Sequence, residues 1–203
     1  GRIKLANIQG DISFNNVWFA YKEKQWVLKG ISFKIQRSET LALVGETGAG
    51  KSSVTNVLTR FYDSQKGSIK IDDISIQDVT LASLREQIAF VQQEVFLFSD
   101  TILNNITLYN EQITPKLVKD AAKEIGIHDF IKSLPGGYKY SVGERGVTLS
   151  TGQRQLIAFL RVYVRNPKIL ILDEATSSID TETEQLLQDA LEKLSKNRTI
   201  III

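Results

Sequence analysis

Gly45-Glu46-Thr47-Gly48-Ala49-Gly50-Lys51-Ser52 places two glycines five residues apart and ends on Lys-Ser. This is the phosphate-binding loop pattern. It also stands in the required context, after the apolar run Leu41–Val44 and before a helix expected over about 50–61. Its glycines let the backbone turn N–H groups inward onto phosphate oxygens, and the helix start adds partial positive charge. Lys51 is the residue to bridge the terminal phosphates, and Ser52 the one to offer a hydroxyl to Mg²⁺. Ser53 completes the nucleotide-contacting stretch. The chemistry is binding of a nucleoside triphosphate.

A second cluster, Asp173-Glu174, follows the apolar run Ile169–Leu172. A carboxylate at the end of a buried strand beside a phosphate-binding loop can hold Mg²⁺ through water. Its neighbour can then polarise a water for in-line attack on the γ-phosphate. Alone, an Asp-Glu pair reads as well as a helix cap; the upstream loop weights it toward chemistry. A third group, Leu149-Ser150-Thr151-Gly152-Gln153, opens an amphipathic helix with Ser150 as N-cap. Its free N–H groups suit an anion, but the pattern by itself is equally that of a capped helix.

The elements that must carry these groups alternate in type. Segment 11–36 alternates polar and apolar residues and predicts two or three half-buried antiparallel strands. Leu41–Val44 reads as a strand buried on both faces of a parallel sheet. Ser68–Ile71, Ile88–Val91, Ile169–Leu172 and Ile200–Ile203 read as further strands. The stretch 100–165 is mainly helical: Thr114-Pro115 caps one helix, Gly126 stops it, and Asn166-Pro167 stops the helix that Ser150 opens. Glu182–Leu194 is a last amphipathic helix, with acids near its start where the dipole favours them. The expected class is α/β with a mainly parallel core sheet, an N-terminal antiparallel β region and an inserted helical subdomain. As boundaries we take 1–93 and 166–203 for the core and about 94–165 for the helical part of one domain.

Size and composition agree. The 203 residues, 42% hydrophobic and 24% charged, describe an ordinary globular domain and exclude a disordered or fibrous chain. A net charge of +2 gives no electrostatic reason to expect nucleic acid as partner. With no cysteine and one histidine, His128, thiolate metal sites and two-histidine sites are excluded. His128 is expected on an exposed helix face. There is no apolar run long enough to span a bilayer and no signal peptide, so a soluble, intracellular chain is expected. Its last residues fall in mid-strand, which suggests a domain cut from a longer polypeptide.

Taken together, these motifs resemble the nucleotide-binding domain of ABC transporters over nearly the whole chain. The segment 149–153 with Arg154-Gln155 looks like that family's signature. Asp173 to Asp180 looks like its Walker B and D-loop, with Ser177 and Asp180 as the D-loop residues. Tyr21, in Phe19-Ala20-Tyr21, matches the A-loop aromatic that stacks on adenine, and Val27 joins the ATP-binding set. Gln93 matches the Q-loop glutamine that reaches Mg²⁺. Val142-Gly143-Glu144-Arg145-Gly146 and Leu97–Ile102 are similar to segments of exporters. The resemblance implies Glu174 as general base, with Lys51 and Gln93 beside it in the catalytic set. It implies Ser52, Gln93 and Asp173 as Mg²⁺ ligands, Asp173 through water. It also implies that Ser150, Thr151, Gly152 and Gln153 contact the ATP of a second, head-to-tail nucleotide-binding domain.

The implied activity is ATP hydrolysis that powers an exporter's membrane-spanning domains from the cytoplasmic face. The cofactors are ATP and Mg²⁺, and no nucleic acid partner is expected. The chain alone is expected to be weakly active or inactive, with further C-terminal strands and the switch histidine beyond Ile203. Two departures stand out: Thr151 replaces the usual signature glycine, and Gln92 and Val95 replace prolines around Gln93. The alternatives are a DNA-repair or chromosome ATPase head and a ribosome-associated ABC protein. The absence of heptads between Lys51 and Ser150 disfavours the first.

Overall fold

The computed structural model describes residues 2–45, 50–173 and 179–203. The chain runs β1 (Ile12–Ala20), β2 (Trp26–Ile35), β3 (Thr40–Ala42), α1 (Lys51–Leu58), β4 (Lys66–Ile71), β5 (Ile74–Ser75), α2 (Leu81–Gln87) and β6 (Ile88–Val91). Then follow α3 (Ile102–Thr107), α4 (Pro115–Ile125), α5 (His128–Ser133) and α6 (Thr151–Tyr163). It closes with β7 (Ile169–Leu172), α7 (Thr181–Ser195) and β8 (Thr199–Ile202). This α/β content divides into two compact units.

The first unit comprises Gly1–Phe90, Pro167–Asp173 and Asn197–Ile203. One sheet has the order β2-β1-β4-β5, and its pairings are antiparallel. In β1, Ile12 and Phe14 face the core, and so do Val17 and Phe19, although the two pairs differ in parity. A bulge at Asn15 and Asn16 makes the change, adding one residue and returning the apolar side chains to the same face. Gly67 of β4 allows it. Its φ is +85°, and a Cβ there would lie 2.2 Å from the Asn16 carbonyl oxygen.

The second sheet has the order β3-β8-β7-β6, with β8 parallel to both β3 and β7. Strand β7, Ile-Leu-Ile-Leu, is buried along its length, as a central parallel strand should be. Leu41–Val44 is different from its expected double burial. Thr40–Ala42 pair with Ile200–Ile202 of β8, Leu43 N donates to the Ile202 carbonyl at 2.7 Å, and Val44 is 88% exposed. Among the described residues β3 has β8 as its neighbour on one side, so its other side is not enclosed by them. The core of this unit joins Ile12, Phe14 and Ile69 of one sheet to Ile169, Ile171 and Ile201 of the other. Val54, Val57 and Leu58 of α1 complete it, which fixes that helix by its apolar face.

The second unit comprises Val91–Asn166 and Glu174–Lys196. Here α4 runs from the Thr114 cap, with Pro115 in its first turn, to Gly126 in the left-handed region at φ 84°. Helix α7 packs on α6 and α4 and so clusters with the helices. Leu187, Ala190 and Leu194 are its buried stripe. Gly152 of α6 permits the close approach, since a Cβ there would stand 2.6 Å from Thr183 Cγ2. His128 is half-buried rather than exposed, its Nδ1 lying 2.7 Å from the Tyr138 hydroxyl. Burial pushes Tyr138 up to about 12.

A polar node holds the middle of this unit. Asn105 is fully buried. It accepts from Phe98 N at 2.7 Å and donates to the carbonyls of Phe98 (3.1 Å) and Thr101 (3.0 Å). Arg161 Nε donates to the Asn105 carbonyl at 2.8 Å, and Arg165 donates to those of Ile106 and Thr107. The last carbonyls of α3 therefore find cationic donors in place of a next helical turn. Burial, together with the neighbouring charge, holds Arg161 below the usual arginine range. Asn105→Ala should cost about 1–3 kcal/mol, because it strands the Phe98 N–H and two carbonyls. Urea unfolding would measure this, and a loss under about 0.5 kcal/mol, the scale of an ordinary surface change, would contradict it.

Candidate nucleotide-binding site

In the sheet unit the site is built around the start of α1. Gly50 occupies the N-cap position at φ 94°, with no side-chain cap. The first-turn N–H groups are thus left without a capping side chain, and that turn contains no acidic residue. Close packing demands the glycine. A Cβ on Gly50 would sit 3.1 Å from Leu28 Cδ2 and 3.3 Å from the Val27 carbonyl oxygen. Val27, half-buried on β2, is therefore the wall against which the helix start rests. Lys51 opens the helix and donates from Nζ to the Gly45 carbonyl, tying the two ends of the loop together. Ser52 is exposed, whereas Ser53 is 3% exposed. The turn offers a cation, two hydroxyls and helix-terminal N–H groups, a set suited to a polyanion.

Tyr21 stands just beyond β1 and is 47% exposed. Its ring meets Phe19 edge-on at 4.6 Å and Tyr62 at 4.9 Å. Its hydroxyl lies 3.0 Å from Ser53 Oγ and accepts from Asn56 Nδ2 at 2.8 Å. Gln65 fixes the strand end before it: Ala20 N donates to Gln65 Oε1 at 3.0 Å, and Gln65 Nε2 donates to the Ala20 carbonyl at 2.8 Å. The side-chain amide thereby supplies both bonds of a missing strand partner. Tyr21, Ser53 and the start of α1 are brought together, and the ring is held by packing and hydrogen bonds. Sequence reasoning missed Asn56, Gln65 and Tyr62. Asn56 had a signal, since it lies three residues after Ser53 on the same helix face.

Asp173 follows β7 directly and is half-buried. Glu46, Thr47, Gly48 and Ala49 of the loop, and Glu174 and Ser177, lie outside the described residues. Among the described residues no group of three or more acidic or histidine side chains converges on one point. Mg²⁺ still fits the donors that are there. It is a hard ion that takes few protein oxygens, keeps waters and binds through substrate phosphates.

In the helical unit, Gln93 is exposed on the segment after β6. At the start of α6, Ser150 Oγ accepts from Gln153 N at 3.2 Å, and Ser150 N donates to Gln153 Oε1 at 3.0 Å. This reciprocal cap uses both polar side chains of the motif. Thr151 Oγ1 accepts from Arg154 at 3.3 Å, so the unexpected threonine has a local partner. Gly152 is buried beneath α7, which accounts for the glycine by helix packing. Asp180 is the N-cap of α7, accepting from Thr183 N at 3.0 Å, and that bond holds its carboxyl below the usual range. The 142–146 turn has Gly143, Arg145 and Gly146 at positive φ. A Cβ on Gly146 would lie 2.9 Å from Leu97 Cδ1.

The family model described as ABC transporter matches residues 28–177. The chain belongs to the ABC transporter family. Among its relatives is an uncharacterized ABC transporter ATP-binding protein, YknV, of Bacillus subtilis (strain 168). It is 50% identical over 99% of this chain and 33% of that protein. An ATP-dependent lipid A-core flippase of Saccharophagus degradans is 47% identical over 100% of this chain and 35% of its own length. A solved structure of a bacterial Atm1-family ABC exporter with ATP bound is 41% identical. Its TM-score is 0.87, over 100% of this chain and 35% of that one. The chain thus spans about a third of the length of the relatives it matches. Its mixed α/β architecture is that of the nucleotide-binding part of an ABC exporter. Among the described residues no helix is long and apolar enough to cross a membrane.

Proposed function

We propose that this ABC-family chain binds Mg·ATP and hydrolyses it to drive an exporter whose membrane-spanning part lies elsewhere in the assembly. The observation that carries the proposal is the start of α1, where Lys51, buried Ser53 and uncapped N–H groups stand beside the exposed ring of Tyr21. A triphosphate needs the first three, and a purine needs a flat aromatic face at the right distance from them. The names of the relatives, as exporters and ATP-binding proteins, support the same reading.

In this reading Lys51 neutralises the terminal phosphates, the N–H groups of α1 bind the remaining oxygens, and Tyr21 stacks on the base. Ser52 and Asp173 hold Mg²⁺, with Gln93 assigned to the same ion on the strength of its motif position. The ion supplies charge neutralisation of the phosphate oxygens. Glu174 takes a proton from the attacking water. Ser150, Thr151, Gly152 and Gln153 face the nucleotide of a second, head-to-tail copy, and Ser177 and Asp180 lie at that contact. The membrane-spanning domains dock on the helical side, from the cytoplasmic face of the membrane.

Tyr21→Ala tests the base contact. It should weaken ATP more than inorganic triphosphate, because only ATP loses a stacking contact of about 0.5–1.5 kcal/mol. Calorimetric titration of both ligands measures the difference. Equal losses would return Tyr21 to the role of a strand-end aromatic.

A further inference from the structure

The geometry points to Asn56 as a positioning residue that sets the direction of a short proton chain, making the Ser53 hydroxyl a donor toward phosphate. The inference rests on the proposed binding of a triphosphate at the start of α1 and adds to it a residue that need not touch nucleotide.

Three groups form the chain, all in the sheet unit. Asn56 Nδ2 lies 2.8 Å from the Tyr21 hydroxyl oxygen, and that oxygen lies 3.0 Å from Ser53 Oγ. An amide nitrogen can only donate. The Tyr21 oxygen therefore accepts from Asn56, which leaves its one hydrogen for Ser53 Oγ, and in the proposed chain it donates there. Ser53 accepts that hydrogen and keeps its own O–H for a further acceptor. It sits in the first turn of α1, three residues from Gly50 and next to the uncapped end of the helix. A hydroxyl there that donates is matched to an anionic oxygen. One that presents lone pairs is mismatched.

The surroundings preserve the order. Ser53 is 3% exposed, so water has little access to reorient it. Tyr21 is held by Phe19 and Tyr62 edge-on, so its hydroxyl cannot swing away without breaking two ring contacts. Asn56 lies at the solvent side of the chain, half-buried. It can thus be changed without opening the core formed by Val54, Val57 and Leu58.

Asn56→Asp reverses the chain. A carboxylate only accepts, so Tyr21 would donate to it, take the Ser53 hydrogen in turn, and leave Ser53 facing phosphate with lone pairs. ATP and inorganic triphosphate should both bind at least about tenfold more weakly, since a bond to a charged group is lost and a repulsion replaces it. The loss should be alike for the two ligands, because it acts on phosphate and not on the base. The control is the same change in a Tyr21→Phe background, where the ring remains and the hydroxyl relay is gone. There Asn56→Asp should alter triphosphate affinity by less than about twofold, as expected when two sites no longer share a partner. Circular dichroism of each variant reports the fold independently. If Asn56→Asp weakens triphosphate equally with Phe at position 21, the carboxylate acts through space and the relay is wrong. No effect in the parent background would also overturn it. If the parent chain binds neither ATP nor triphosphate, the nucleotide reading itself fails, and the relay fails with it.

Discussion

Glu174→Gln should leave ATP binding intact and slow turnover by about 10²–10⁴-fold, the range for loss of a positioned general base. Glutamine has nearly the same shape as glutamate but cannot take a proton from the attacking water. In phosphoryl transfer most of the rate comes from positioning and electrostatics, so binding and chemistry separate cleanly at this residue. The measurement is phosphate release from the assembly proposed above, alongside nucleotide retention in the same sample. A dimer that accumulates with ATP bound would support the head-to-tail arrangement as well. Unchanged turnover would remove Glu174 from the chemistry and leave Asp173 as the only acidic residue of the pair with a proposed role.

Lys51→Ala should weaken Mg·ATP by tenfold or more, because a charge-assisted phosphate contact is worth about 1.5–3 kcal/mol. The lysine has a second task, its bond to the Gly45 carbonyl, which closes the loop end to end. Two variants separate these tasks. Lys51→Arg keeps the charge but carries a planar fork in place of a compact ammonium. It should recover part of the affinity, whereas Lys51→Gln, which retains a donor without the charge, should not. Equal ATP affinities for the parent and Lys51→Ala, by calorimetric titration, would sink the assignment.

Local signals gave the elements where their physics is local. The Thr114-Pro115 start and Gly126 stop of α4 depend on neighbouring residues in the chain, and the helix lies between them. The same holds for α6 after Ser150 and for β7, whose four apolar residues demand burial on both faces. Leu41–Val44 shows the limit. Apolar content marks a strand, but how much of it is enclosed depends on what lies alongside, and the chain does not carry that information locally. Helix α7 is a similar case. Its stripe announced that it packs, and Gly152, 31 residues before Thr183, decided against what.

For the site, residue types and spacing by themselves pointed to a phosphate loop at Gly45–Ser52 and an acidic pair after Leu172, and they predicted the helix that Ser150 opens. Each is a contiguous segment whose chemistry follows from its own backbone and side chains. The tertiary structure alone decided how Tyr21 is held. Ser53 and Asn56 come from α1 and Tyr62 and Gln65 from the segment after it, and only folding brings them to Tyr21 and to Ala20 before it. It also showed Gly152 and Asp180 at work inside the chain, one as a packing gap and the other as a cap. The reason is that hydrogen-bond direction and close packing depend on distances of a few tenths of an ångström between residues far apart in sequence. Composition, charge and periodicity constrain no such distance.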